Sequence, residues 1–418
     1  MLTTAARGFY GWRVATAALV MATFGWGVGF YGPPVFLSTV HDGRGWPVVL
    51  VSTAVTVHFL VGAIAGAVLP AIHRRLGIPA TTKAGALCLA AGVLGWSLAS
   101  TPWQLLGAAL ISGAGWGATS AVALNAIVSP WFVRSRPAAL GLAYNGASLG
   151  GVIFSPLWVA AIAALGFSTA AAALGLVMVL ILWLLSDVYF SRTPQQMGLA
   201  PDGGAAGPAA SRATAPDATP LPEARLWSDR RFLTLSAGMA SGLFAQVGLT
   251  AHLFSLLMPA LGAQAAGLAM ALLTVMAVAG RTLVGWLMPW QADRRLVACA
   301  GYAAQVAGSI LLLAADDTSV PLLLLGVILF GAGFGNAVSL PPLIAQMEFA
   351  EGDVQRAVGL TVGIAQGTFA FAPAAFGLLR ELAPAAAGSA AGAAPSVFAA
   401  AALAQALAIT ALFAGRRR

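Results

Sequence analysis

The sequence predicts an all-α integral membrane protein, with twelve transmembrane helices in two pseudo-symmetric six-helix halves. Composition is the first reason: 59% of the 418 residues are hydrophobic, 8% are charged, and the mean hydropathy is +0.87. A soluble domain carries roughly 25% charged residues. The second is the set of apolar runs, which reach the roughly 20 residues that a helix needs to cross a bilayer. The third is an internal repeat that relates the two halves.

Taken in order, the apolar runs fall at 12–38, 47–72, 82–100, 103–129, 137–164 and 168–190, then 230–258, 263–289, 295–314, 319–347, 354–382 and 394–414. These are called spans 1 to 12. The run from Val14 is too long for a signal peptide and lacks a small-residue cleavage site, so no cleavable leader is expected. Between spans 6 and 7, Ser191 to Ser228 is rich in Pro, Ala, Gly and Thr, which reads as a flexible linker. The expected organisation is a first half at 1–190, a linker at 191–229 and a second half at 230–418. Cys88 and Cys299 lie in different spans, so neither a disulfide nor a metal site is expected.

Orientation follows from the basic residues. Arg7, Arg13, Arg74, Arg75, Lys83, Arg134, Arg136, Arg192, Arg212, Arg225, Arg230, Arg231, Arg294, Arg295, Arg356 and Arg416 to Arg418 all fall on one side of this arrangement. Arg44 and Arg380 fall opposite, and Arg281 lies within a span. The positive-inside rule then puts both termini and the linker in the cytoplasm. Topology accounts for the net charge of +8, so no nucleic-acid partner is expected.

The halves repeat in parallel. Gly113-Ala-Gly-Trp-Gly in span 4 returns as Gly331-Ala-Gly-Phe-Gly in span 10. The same displacement carries Ala139, Gly141 and Leu142 onto Ala357, Gly359 and Leu360. One residue more carries Gly66 onto Gly285 and Pro70 onto Pro289, and therefore Gly62 onto Arg281; one more again carries Arg74-Arg75 onto Arg294-Arg295. A parallel repeat implies a pseudo-twofold along the membrane normal with a site at midplane depth.

Twelve spans, a central linker and parallel halves resemble the major facilitator superfamily. Within it, the stretch from Trp131-Phe132 through Arg136, Gly141, Gly146 and Ser148 to Gly150 resembles the span 4–5 junction of the monocarboxylate and oxalate/formate transporter family. Gly11-Trp12 and Gln196-Met-Gly-Leu-Ala-Pro-Asp-Gly203 are similar to segments of bacterial members. That resemblance implies a substrate-binding arginine in an Arg-x-x-x-Gly setting, matched here by Arg281 and Gly285. Ala277 stands where animal members carry an aspartate, and Tyr31 falls near their lysine, so their proton-relay chemistry does not carry over.

Arg281 is the principal candidate. It lies eight residues before Pro289, about 12 Å along a helix, and the acidic residues of the sequence cluster near span ends. An arginine inside a span costs at least about 2.5 kcal/mol on insertion scales. Either it snorkels or bonds backbone carbonyls, or its guanidinium fork receives a substrate carboxylate. His252 in span 7 is a candidate for ligand contact or protonation, and His58 in span 2 is the second proton-coupling candidate. The spans that line the path by resemblance add Tyr31, Asn125, Tyr144, Asn145, Gln246, Asn336 and Gln366 as substrate-binding candidates. For each, the competing reading is a hydrogen bond that glues helices together.

No metal-ligand spacing, phosphate loop or nucleophile–base arrangement is present, so neither an enzyme nor a cofactor is expected. The leading expectation is a monomeric secondary transporter in a cell membrane, of the bacterial inner-membrane kind. It would move a small organic anion, a mono- or dicarboxylate, with protons or an exchanged anion as coupling partner. The alternatives are an exporter of amphipathic or aromatic compounds and a carrier of a larger uncharged nutrient. Drug exporters of the superfamily carry an arginine where this chain has Ala109, and a Gly-Pro-x-x-Gly-Gly motif where it has Ala147. A membrane sensor is a third class, for which Thr193 to Arg225 offers no signalling domain.

Overall fold

A computed structural model of the chain describes residues 9–203, 226–288, 292–316, 318–349, 351–382 and 395–416. Residues 204–225 of the expected linker lie outside the described residues, as do Pro289, Trp290, Arg7, Arg417 and Arg418. Twelve helices among the described residues are long and apolar enough to cross a membrane. The chain divides into two compact units, Met1–Gly45 with Val57–Thr214, and Trp46–Thr56 with Ala215–Arg418.

In the first unit, span 1 is α1 (Tyr10–Gly29) and α2 (Gly32–Arg44), span 2 is α3 (Val48–Leu76) and span 3 is α4 (Ile78–Leu98). Span 4 is α5 (Pro102–Ala118) and α6 (Ala121–Val128), span 5 is α7 (Arg136–Leu165) and span 6 is α8 (Phe167–Leu185). The first turns of α3, up to Thr56, group with the second unit. That unit continues with α9 (Arg230–Leu261), α10 (Ala263–Leu287), α11 (Arg294–Ala314), α12 (Val320–Phe334) and α13 (Asn336–Glu348). It ends with α14 (Glu351–Ala370), α15 (Ala372–Leu382) and α16 (Pro395–Ala414).

Turn chemistry sets several of these boundaries. Gly77, Gly166 and Gly262 each separate consecutive helices at φ 78°, 77° and 76°, a conformation glycine adopts without steric cost. Thr101 and Gln104 cap α5 reciprocally, with Pro102 opening the helix. Asp229 and Asp293 accept backbone N–H bonds at the starts of α9 and α11.

Packing pairs repeat between the units. α1 lies on α7 and α9 on α14; α4 lies on α5 and α11 on α12; α4 lies on α8 and α11 on α16. The glycine motifs permit the closest approaches. A Cβ on Gly113 would collide with the His58 carbonyl and one on Gly117 would stand 2.6 Å from that of Gly62. In the second unit, a Cβ on Gly331 would stand 2.6 Å from the Leu273 carbonyl and one on Gly335 would collide with that of Ala277.

These contacts revise the register of the repeat. Gly113 and Gly117 correspond to Gly331 and Gly335, so His58 and Gly62 correspond to Leu273 and Ala277. Arg281 therefore stands opposite Gly66, one helical turn from the sequence assignment to Gly62. Residues four apart share a helix face, so a glycine pattern alone does not distinguish registers one turn apart. The Arg74-Arg75 and Arg294-Arg295 pairing also fails: the first pair ends α3 and the second opens α11.

Residues 191–203, expected to be flexible, are folded onto the first unit. The Asp202 carboxylate accepts backbone N–H bonds from Val133 (3.0 Å), Arg134 (2.8 Å) and Ser135 (3.1 Å). Asp202 adopts φ 61°, which an aspartate tolerates better than most residues. Beside it, Gly203 leaves room for the Phe9 ring, which packs edge-on against Trp131 and Phe132.

Gly280→Val is expected to lower the thermal unfolding temperature, because a Cβ there collides with the Ala332 carbonyl. Overpacking of this kind costs about 1–3 kcal/mol. Gly363→Ala, where nothing lies within 4 Å, is the neutral control. Asp202 gives a pH-dependent counterpart. Partial burial opposes its charge, but the N–H groups of Arg134, Ser135 and Val133 outweigh that and hold the carboxyl below its usual 3.8. Its contribution is thus complete above pH 3.8 and is lost as pH falls through the lowered folded value. Amide hydrogen-exchange protection at 133–135 should follow that titration, and Asp202→Asn should remove it at neutral pH.

Candidate functional site

Arg281 occupies α10 six residues before Leu287, about 9 Å from the helix end at 1.5 Å per residue. It is half-buried. Its Cβ lies 3.2 Å from where a Cβ on Gly335 would stand, at the interruption between α12 and α13. Glycine at 335 lets the backbone of span 10 lie against α10, which brings the root of the arginine to the break. In the first unit, Gly66 faces the corresponding interruption between α5 and α6, where an added Cβ would stand 3.7 Å from the Ser120 hydroxyl.

Two further candidates meet beside the same break. Asn336 opens α13 and is 4% exposed; Gln246 on α9 is fully buried and its Nε2 donates to Gln305 Oε1 on α11 at 2.9 Å. Gln305 and Asn336 line one small cavity with Tyr302. Gln246 Oε1, Gln305 Nε2 and Asn336 Oδ1 are buried without a hydrogen-bond partner among the described residues. Farther along α11, the Ser309 hydroxyl donates to Gln405 Oε1 on α16 at 3.1 Å.

The two histidines sit in different settings. Gly29 is the last residue of α1, where the carbonyl groups have no N–H partner within the helix. His58 Nε2 bonds that carbonyl at 2.8 Å, and its Nδ1 meets the Ser112 hydroxyl at 2.8 Å. Both ring nitrogens are thus engaged in holding α3 to α1 and α5. His252 on α9 is fully buried, with Nε2 bonding the Pro373 carbonyl at 3.0 Å and Nδ1 without a partner among the described residues. Pro373 belongs to the restart of span 11, where the Ala374 N–H donates to the Thr56 hydroxyl at 3.0 Å. Ser255, one turn from His252, accepts from Arg380 at 2.6 Å.

In the first unit, Asn125 and Tyr144 form a pair: Asn125 Nδ2 donates to the Tyr144 hydroxyl at 2.5 Å and to the Ala121 carbonyl at 2.9 Å. Asn145 is exposed next to Tyr144. Tyr31 is buried at the break between α1 and α2, its ring against Phe30, as the prolines that follow it suggested. Gln366 is half-buried on α14, outside the lining of the cavity shared by Gln305 and Asn336.

The sequence reading missed Gln305, Tyr302, Ser255 and Arg380. Gln305 carries its own signal, a carboxamide within the apolar run 295–314, which a restriction to path-lining spans leaves out. It also missed the ionic centre of the second unit. Arg295 is 2% exposed and makes a two-point pair with Glu348, at 2.6 Å and 2.8 Å. Its other N–H groups reach the Thr234 hydroxyl and the carbonyls of Leu412 and Arg231. One guanidinium thereby ties α11, α13, α9 and α16.

Glu348→Gln is expected to destabilise the second unit by about 3 kcal/mol, because it leaves a buried charge uncompensated. Thermal unfolding of the purified protein measures this. Arg295→Met combined with Glu348→Leu should recover most of the loss.

No curated protein sequence matches the chain. Among solved structures, the nucleoside transporter NupG is similar with a TM-score of 0.74 at 12% identity, over 97% of this chain and 100% of that one. A D-xylose–proton symporter is similar with a TM-score of 0.74 at 14% identity, over 97% of each chain. A bacterial homolog of the human lysosomal transporter Spinster gives 0.65 at 14% identity, over 96% of this chain and 94% of that one. At such identities the likeness is one of fold. A family profile described as Major Facilitator Superfamily matches residues 84–377, most of the chain, and with twelve apolar helices in two internally repeated units the chain belongs to that superfamily of multi-pass membrane transporters.

Proposed function

We propose that this transporter moves a small organic anion, a mono- or dicarboxylate, by alternating access, with Arg281 pairing the substrate carboxylate. The observation that carries the reading is Arg281 itself, a half-buried guanidinium in an otherwise apolar span beside the interruption of span 10. A charge at that depth is costly to keep, which favours a functional role. A guanidinium presents two parallel donors that match a carboxylate, and its attraction strengthens away from bulk water. Asn336, at the same break, and Gln246 offer carboxamides for the remaining polar groups of a substrate. In the first unit, the exposed Asn125 and Asn145 and the Tyr144 hydroxyl are further polar candidates.

His252 is the proton-coupling candidate in this reading. It is buried with one nitrogen bonded to the restart of span 11. His58, with both nitrogens committed, serves as structural glue. The chain acts as a monomer within the bilayer. The competing reading is a carrier of an uncharged polar nutrient, in line with the nucleoside and xylose transporters of similar fold. For such a substrate the carboxamides would act without the arginine.

Reconstituted vesicles loaded with and challenged by radiolabelled lactate, pyruvate or oxalate provide the test. Arg281→Ala is expected to abolish uptake while leaving the thermal unfolding temperature within a few degrees of wild type. Arg281→Lys should retain the charge and lose the two-point geometry, with a strongly raised KM. Carboxylate uptake by Arg281→Ala at the wild-type rate would overturn the proposal. A nucleoside or sugar that stabilises the purified protein while no carboxylate does would favour the competing reading.

A further inference from the structure

The cavity beside the interruption of span 10 is too small for a substrate, although Asn336 lines it. It is lined by residues of α9, α11, α12, α13 and α16, and its volume of about 10 Å³ is of the order that one water molecule needs. Its walls are mostly apolar, including Met239, Ala298, Ile344 and Leu412. Three polar groups break that pattern. Gln305 Nε2 and Asn336 Oδ1 are buried and without a hydrogen-bond partner among the described residues. The third is the Ala337 carbonyl: Pro341, four residues on in the same helix, has no N–H to give it, and both residues line the cavity.

We propose that this cavity is a binding site for one permanently held water, seated between Gln305, Asn336 and the Ala337 carbonyl freed by Pro341. The water accepts from Gln305 Nε2 and donates to Asn336 Oδ1 and to the Ala337 carbonyl. That gives three bonds, the usual complement of an internal water. The Gln305 orientation is fixed by the bond its Oε1 accepts from Gln246 Nε2, which leaves Nε2 to donate to the water. Leaving a buried donor and two acceptors unmet would cost about 1–3 kcal/mol each. The water thus fills the place in the ladder that Pro341 vacates, and it keeps the start of α13 bonded to α11 through a small, mobile bridge. This role is independent of which substrate the transporter carries.

Hydroxyl-radical labelling by short X-ray pulses tests the inference on the purified full chain, because radicals form from bound water and oxidise the side chains beside it. Met239 lines the cavity and Met270 does not, yet both are 2% exposed. Oxidation at Met239 is expected to be several-fold faster than at Met270, with Tyr302 labelled alongside. Gln305→Leu should bring Met239 down to the Met270 rate. Should that variant not fold, Pro341→Ala returns an N–H to the Ala337 carbonyl and should likewise slow Met239. Equal rates at Met239 and Met270 in the wild type would overturn the proposal. So would a folded Gln305→Leu protein that keeps fast oxidation at Met239, or labelling that disappears when sodium is replaced by choline, which would assign the site to a cation.

Discussion

Backbone-to-backbone approach at the glycine motifs is the constraint on which the rest of this architecture depends. Lipid tails are as apolar as the side chains they touch, so helices in a bilayer associate through tight packing and hydrogen bonds. Glycines 113 and 117 bring span 4 onto α3, and glycines 331 and 335 bring span 10 onto α10, each leaving no room for a methyl group at the crossing. Both crossings sit just before or at an interruption of the helix that carries the motif. The same device that locks a pair of helices together therefore also ends the regular ladder. Peptide groups are released there at a depth where water is scarce.

At the breaks of spans 1 and 11, released groups are met by side chains drawn from other helices. His58 takes the carbonyl left at Gly29 where α1 ends, and Thr56 takes the amide of Ala374 where span 11 restarts. His252 secures the carbonyl of the adjoining Pro373. Where a span would otherwise be one rigid rod, it becomes two segments joined by a satisfied break. Irregular backbone within the hydrocarbon depth is tolerated only on such terms.

The architecture was legible in the sequence because hydropathy reports the one property that every span must have. Span limits came out within four residues except at the end of span 1, expected at 38 and reached at Arg44, since a helix that crosses a bilayer has its length set by the bilayer. The internal repeat was legible through Gly113-Ala-Gly-Trp-Gly and its second copy. Its register on the neighbouring span was not, because Gly62 and Gly66 lie one turn apart on the same face and only the three-dimensional contacts choose between them. The folded course of 191–203 was hidden as well. Composition marked it as linker, and what holds it is a single aspartate meeting three amides distant in sequence. Arg281 stood out at once as a charge in an apolar run, whereas the Gln246–Gln305 pair needed two helices placed side by side.

The Asp202 clasp also makes the segment after span 6 a strut within the first unit. One carboxylate meeting three successive amides fixes the turn at 201–203 to the backbone of 133–135, at the junction of spans 4 and 5. The stretch that leaves α8 is thereby anchored at the start of α7, the helix that carries Tyr144 and Asn145. Turn and junction shift together or not at all unless three bonds to one carboxylate break at once.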